Sequence, residues 1–184
     1  SLSGFQANGD MGKLIHGLIG WDRIIPESMA MYQSREPTFR LSSKPEPEAR
    51  MWAVEGFAGT IQPWWHHISA HHEDRRQYQT AESLFRWHEA NERYLVGRQP
   101  VATVGLVWSK ENIDFYGRAE GEARTIIPYR GFMQALIRGR IPYVPIHADH
   151  IDREAENVSL LVLPNVGALS EEQCQAIRRF VGGG

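Results

Sequence analysis

Residues Val101 to Trp108 (VATVGLVW) constrain the fold of this chain more than any other stretch, because they are almost continuously apolar and β-rich. A run of that kind reads as a strand buried on both faces, which requires a parallel sheet clad by helices. The segments downstream agree. Phe132, Ala135 and Leu136 fall at helical spacing, between Pro128 at a plausible first turn and Gly139 as a terminator. Tyr143 to Ile146 reads as a second strand, marked for a sheet edge by Pro145, since proline cannot donate to a ladder. Val158 to Leu163 reads as a third, buried strand. The link from His147 to Asn157 is short for a helical crossover and has room for a single turn. Ser170-Glu171-Glu172-Gln173 is a capping box, with Leu169 and Cys174 at the staple positions around it. In the helix it opens, Cys174, Ile177 and Val181 share the expected inner face, and Arg178 and Arg179 point away. The order 2-1-3, with the proline-marked strand outside, predicts a flavodoxin-like doubly wound sheet over residues 99–184.

Residues 1–98 are less regular. Arg75 to Leu95 predicts one long helix with Tyr78, Ala81, Leu84, Phe85, His88 and Leu95 on its apolar face. Glu73 and Asp74 suit its positive end, and Gly97 with Pro100 ends it and marks the domain boundary. Upstream, Arg23 to Pro26 and Ser28 to Tyr32 read as extended, and Ser42 to Glu48 as a polar, proline-rich connector. Met51 to Val54 reads as a short strand feeding a loop from Glu55 to Ala70.

Composition then excludes several classes of function. The 184 residues carry 20 Lys+Arg against 22 Asp+Glu, a formal net charge of -2, which argues against a general nucleic-acid surface. No apolar run approaches the roughly 20 residues that span a bilayer. One cysteine, Cys174, excludes an internal disulfide framework and any zinc site built on several cysteines. Hydrophobic residues at 42% are enough for a packed core. The chain opens without Met and stops at Gly182-Gly183-Gly184. It therefore reads as part of a longer protein, cytoplasmic or exported by a signal outside these residues.

Six Trp, six Tyr and eight His are many for this length, and Trp64-Trp65-His66-His67, His71-His72 and Trp87-His88 lie close together. Sugar C–H faces dock on aromatic rings and imidazoles hydrogen-bond hydroxyls, so Trp64, Trp65, His66 and His67 are candidate substrate-binding residues. The competing reading is core packing, given the area a Trp buries. Glu27 and Glu55 each follow an extended apolar run. That is where carboxylates of an α/β barrel face the catalytic mouth, and paired carboxylates perform glycoside hydrolysis. The alternative is a solvated loop Glu. His67 and His71 at i,i+4, and His147-Ala148-Asp149-His150, have ligand residue types, but no H-E-x-x-H or recognised third-ligand spacing accompanies them. No metal or other cofactor is expected. No GxGxxG or P-loop follows the first strand of the second part, and Cys174 falls inside a helix rather than on a nucleophile turn.

Several motifs together resemble one family. They are Ile25-Pro26-Glu27-Ser28-Met29-Ala30-Met31-Tyr32-Gln33, Gln62-Pro63-Trp64-Trp65-His66, and Trp87-His88-Glu89-Ala90-Asn91-Glu92-Arg93-Tyr94-Leu95. Val104-Gly105-Leu106-Val107-Trp108-Ser109, Phe115-Tyr116-Gly117-Arg118 and Leu161-Val162-Leu163-Pro164-Asn165 complete the set. They resemble the C-terminal part of glycoside hydrolases that pair a (β/α)8 barrel, in the style of family-42 β-galactosidases, with a β-galactosidase trimerisation-like domain. That second domain is a flavodoxin-like relative of class I glutamine amidotransferases without their nucleophile. The resemblance implies an α/β chain: a partial barrel over 1–98, then a partial flavodoxin-like domain over 99–184. It also implies a carbohydrate substrate, a homo-oligomer, no glutaminase activity, and no nucleic-acid or membrane partner. A whole barrel takes roughly 250 residues. Hydrolysis by these residues alone is therefore expected to be weak or absent, and the runner-up is a non-catalytic oligomerisation or binding module.

Overall fold

The computed structural model describes residues 6–29, 44–65 and 74–183. They form a mixed α/β structure of two compact units, 1–98 and 99–184, each with its own small parallel sheet.

Unit 1 runs α1 (Ala7–Ile19), β1 (Ile25–Met29), α2 (Glu46–Ala58), β2 (Ile61–Trp65) and α3 (Arg76–Leu95). Strands β1 and β2 pair in parallel, with Ile25 beside Ile61 and Met29 beside Trp65. Three expectations fail here. Met51 to Val54 is not a strand: it lies inside α2. Four consecutive apolar residues have no period of their own, and the surrounding pattern decides. Pro47 sits in the first turn with Glu46 and Glu48, and Ala49, Ala53, Gly56 and Phe57 recur on the buried face. The connector drawn to Glu48 is therefore partly the start of a helix. The predicted loop, in turn, holds β2, where Pro63 obscures the strand pattern.

Helices α1 and α2 cross through glycine. Gly9 and Gly12 on one meet the backbone of Glu55 and Gly59 at the end of the other, and Gly56 leaves room for the Asn8 side chain. A Cβ at Gly12 would lie 2.5 Å from the Gly59 carbonyl oxygen and 2.7 Å from Ile61 Cγ1. Buried Asn8 adds a hydrogen bond from Nδ2 to the Trp52 carbonyl at 2.9 Å. The buried His16 ring stacks on Trp21 and places Nδ1 3.0 Å from the Gly20 carbonyl and Nε2 3.4 Å from that of Thr60. It thereby braces the turns that lead into β1 and β2, at their amino-terminal side.

The long helix α3 forms as the sequence predicts, but its buried face is Gln77, Thr80, Ala81, Leu84 and His88. Tyr78 and Phe85 are instead 46% and 38% exposed, on the flank of that face. Asp74 lies just before the helix, as its charge suits, and accepts from the Arg76 backbone N–H at 3.2 Å. Ala49, Ala53, Phe57 and Leu84 form the core between α2 and α3.

Unit 2 contains β3 (Val104–Trp108), α4 (Ile127–Arg138), β4 (Tyr143–His147), the one-turn α5 (Ile151–Glu154), β5 (Leu160–Val162) and α6 (Glu171–Gly182). Its strand order is β4-β3-β5, all parallel, with proline-bearing β4 outside as its composition requires. Val104, Leu106 and Tyr143 pack against α4 through Tyr129, Met133, Leu136 and Ile137. Val107, Val144 and Ile146 alternate with them and are also buried, so both faces of the central strands are covered. Between β3 and α4 lie two π-helical stretches, Asn112–Gly117 and Glu122–Ile126. The short link between β4 and β5 is helical from Ala148 to Asn157, as 3-10 turns on either side of α5.

Three details of unit 2 differ from expectation. The first strand begins at Val104, leaving Val101 92% exposed. The third is a half-exposed three-residue strand rather than a buried one, because only β3 pairs with it among the described residues. In α6 the capping box is present, with Ser170 Oγ accepting from Gln173 N at 3.2 Å and Gln173 Oε1 from Ser170 N at 2.9 Å. Its inner face, however, is Gln173 and Ala176, while Val181 is 72% exposed.

Candidate functional site

The carboxyl ends of β1 and β2 are the natural place for a site in unit 1, because parallel strands bring those ends to one side. Glu27 lies in β1 with Pro63 as its register partner, and Ser28 and Met29 beyond it pair with Trp64 and Trp65. Three of the residues expected from sequence, Glu27, Trp64 and Trp65, are therefore brought to one end of one sheet. His66 and His67 lie outside the described residues, as do His71 and His72.

Glu55 does not join them. It lies in the last turn of α2, where its carbonyl accepts the Gly59 N–H at 3.0 Å. That turn leads into the amino-terminal end of β2, the opposite end from the candidate mouth. By backbone position, Glu55 and Glu27 therefore lie toward opposite ends of the strands.

The two tryptophans differ in environment. Trp64 is 49% exposed on the strand. Trp65 packs against the α2–α3 core, and its indole N–H is buried without a hydrogen-bond partner among the described residues. The sequence could not separate the ligand reading from the core reading for adjacent tryptophans; the structure assigns the core role to Trp65.

Behind the strand lies a buried polar pair. Gln62 Nε2 donates to the Leu95 carbonyl at 3.1 Å, which leaves Oε1 facing His88 Nε2 at 2.8 Å. His88 must therefore carry its proton on Nε2. Burial lowers its pKa, with the Arg98 charge adding to the effect and Glu92 opposing it. The unfolded chain binds the proton more readily, so stability is lost as pH falls through the ordinary histidine value of about 6.5. We expect the urea midpoint of unit 1, followed by exchange of α3 amides, to drop between pH 7 and pH 5. The His88→Gln variant should show a flatter profile, and an unchanged profile would remove His88 as the cause. This histidine is structural, although it stands in a sequence cluster that suggests a site.

In unit 2 the carboxyl ends of β3 and β5 flank the crevice where open α/β sheets take ligands. Here Asn112 ties down the loop that follows β5. Its Oδ1 accepts from Gly167 N at 2.8 Å and Ala168 N at 3.0 Å, while Nδ2 donates to the Asn165 carbonyl at 3.3 Å. The Tyr116 ring lies against Gly167, where a Cβ would come within 2.5 Å of Cε2. No sequence motif marks Asn112; its role follows from a loop fifty residues away.

At the ends of β3 and β4, buried Ser109 donates to Glu111 Oε2 at 2.7 Å, a contact that holds the Glu111 carboxyl below its ordinary range. His147 lies edge-on to Trp108, with Nδ1 3.3 Å from Asp149 Oδ2 and its ring 5.8 Å from that of His150. Asp149 Oδ1 also accepts from Gln173 Nε2 at 2.7 Å. Among the described residues no three His, Cys, Asp or Glu side chains converge as a metal site. Cys174 stands in the first turn of α6, half-buried, and no helix among the described residues is long and apolar enough to cross a membrane.

The described residues thus define an α/β chain of two units, each with its own small parallel sheet. Neither a family model nor a curated protein matches the sequence.

Proposed function

We propose that unit 1 is a segment of a glycoside-hydrolase (β/α) barrel, and that the carboxyl ends of β1 and β2 form part of its sugar site. One observation carries this reading: Trp64, a large aromatic ring, is half-exposed at the carboxyl end of a parallel strand, one register step beyond Glu27 and Pro63. A half-exposed aromatic ring at the end where such sheets bind ligands suits a pyranose face. Glu27 is the carboxylate candidate at that end of the sheet, and a partner for it is expected from outside these residues. The chain alone should therefore bind sugar weakly and hydrolyse aryl glycosides little or not at all. Turnover by the purified chain, lost in Glu27→Gln, would overturn that assignment.

The binding test is titration with a panel of neutral oligosaccharides. Trp64→Ala should weaken any binding about tenfold, equivalent to about 1.4 kcal/mol, with little change in the melting temperature. Trp65→Ala should instead destabilise unit 1 by about 3–5 kcal/mol, as for other buried aromatic truncations. Equal sugar affinity in wild type and Trp64→Ala would sink the site.

For unit 2 we propose a flavodoxin-like domain that serves assembly, in a homo-oligomer, rather than catalysis. The hydrogen bonds of Asn112 to the loop after β5, and the Tyr116 ring packed on Gly167 of that loop, support this reading. Cys174, placed inside a helix turn, supports no nucleophilic role.

A further inference from the structure

We draw no further inference here: the strongest candidate, the Ser109, Glu111, His147 and Asp149 cluster at the carboxyl ends of β3 and β4, is held by hydrogen bonds among its own residues and Gln173, and nothing in the structure points to a ligand there.

Discussion

Gly59→Ala is expected to destabilise unit 1 by about 3 kcal/mol, the upper end of the usual cost of overpacking. The reason is the identity of the atoms in the way. A Cβ at Gly59 would enter the space of the Gly9 carbonyl oxygen, Cα and carbonyl carbon, all of them backbone. A side chain can rotate out of a clash, but the backbone of α1 can only be pushed away bodily. Moving α1 would also strain the Asn8–Trp52 hydrogen bond and the His16 contact to the Thr60 carbonyl. Gly9→Ala meets the same obstacle from the other side, at the Glu55 carbonyl. Gly131, on α4, is the contrasting case. Nothing lies within 4 Å of its Cβ position, so Gly131→Ala should gain about 0.5–1 kcal/mol through helix propensity alone. Amide exchange resolves the two units, which a single melting curve would blend. Unchanged protection of α1 and α2 amides in Gly59→Ala would refute the close crossing.

Asn112→Ala is expected to have the largest effect in unit 2, a loss of about 3 kcal/mol. Three backbone groups, the Gly167 and Ala168 N–H and the Asn165 carbonyl, lose their partner together, and each such hydrogen bond contributes about 0.5–1.5 kcal/mol net. The substitution should loosen the loop after β5 and the π-helical stretch that begins at Asn112, and leave unit 1 unaffected. Tyr116→Phe removes only a long, exposed hydrogen bond of 3.4 Å to Asn165 and should change stability by a few tenths of a kcal/mol. The pair separates the polar clasp from general packing at this crevice. Exchange rates that rise equally in both variants would mean that Asn112 carries no special share.

These two sites show where sequence reading reaches and where it stops. The strands of unit 2 were legible because each is a compact apolar run bounded by proline or polar residues, and the capping box of α6 was legible because its chemistry spans only four residues. The strand order was legible from a single physical limit, the missing N–H of Pro145. Helix α3 was legible for its length, its periodicity and the centre of its inward face, Ala81, Leu84 and His88, but not for the edges of that face. Tyr78 and Phe85 are apolar at the right spacing, yet Gln77 and Thr80 are the residues buried, because which side of a helix is covered depends on what stands beside it.

The candidate site divides in the same way. Glu27 followed by the Trp64–Trp65 pair suggested a strand-end site, and the parallel register places their backbones together. Glu55 was misplaced because Met51 to Val54 is too short to show a period, and the evidence for a helix lay outside it, in Pro47, Ala49 and Gly56. The opposite fates of Trp64 and Trp65 depend on contacts with α2 and α3, which adjacent letters cannot express.

The sequence by itself determined the α/β class, the parallel strands of unit 2 and the extent of α3, since backbone chemistry and hydrophobic period act over a few neighbouring residues. The tertiary structure alone decided that four glycines let α1 and α2 touch, that Asn112 ties down the loop after β5, and that Glu55 lies at the far end from Glu27. Each of those depends on atoms distant in the chain meeting at van der Waals or hydrogen-bond range, and local composition holds no record of such a meeting.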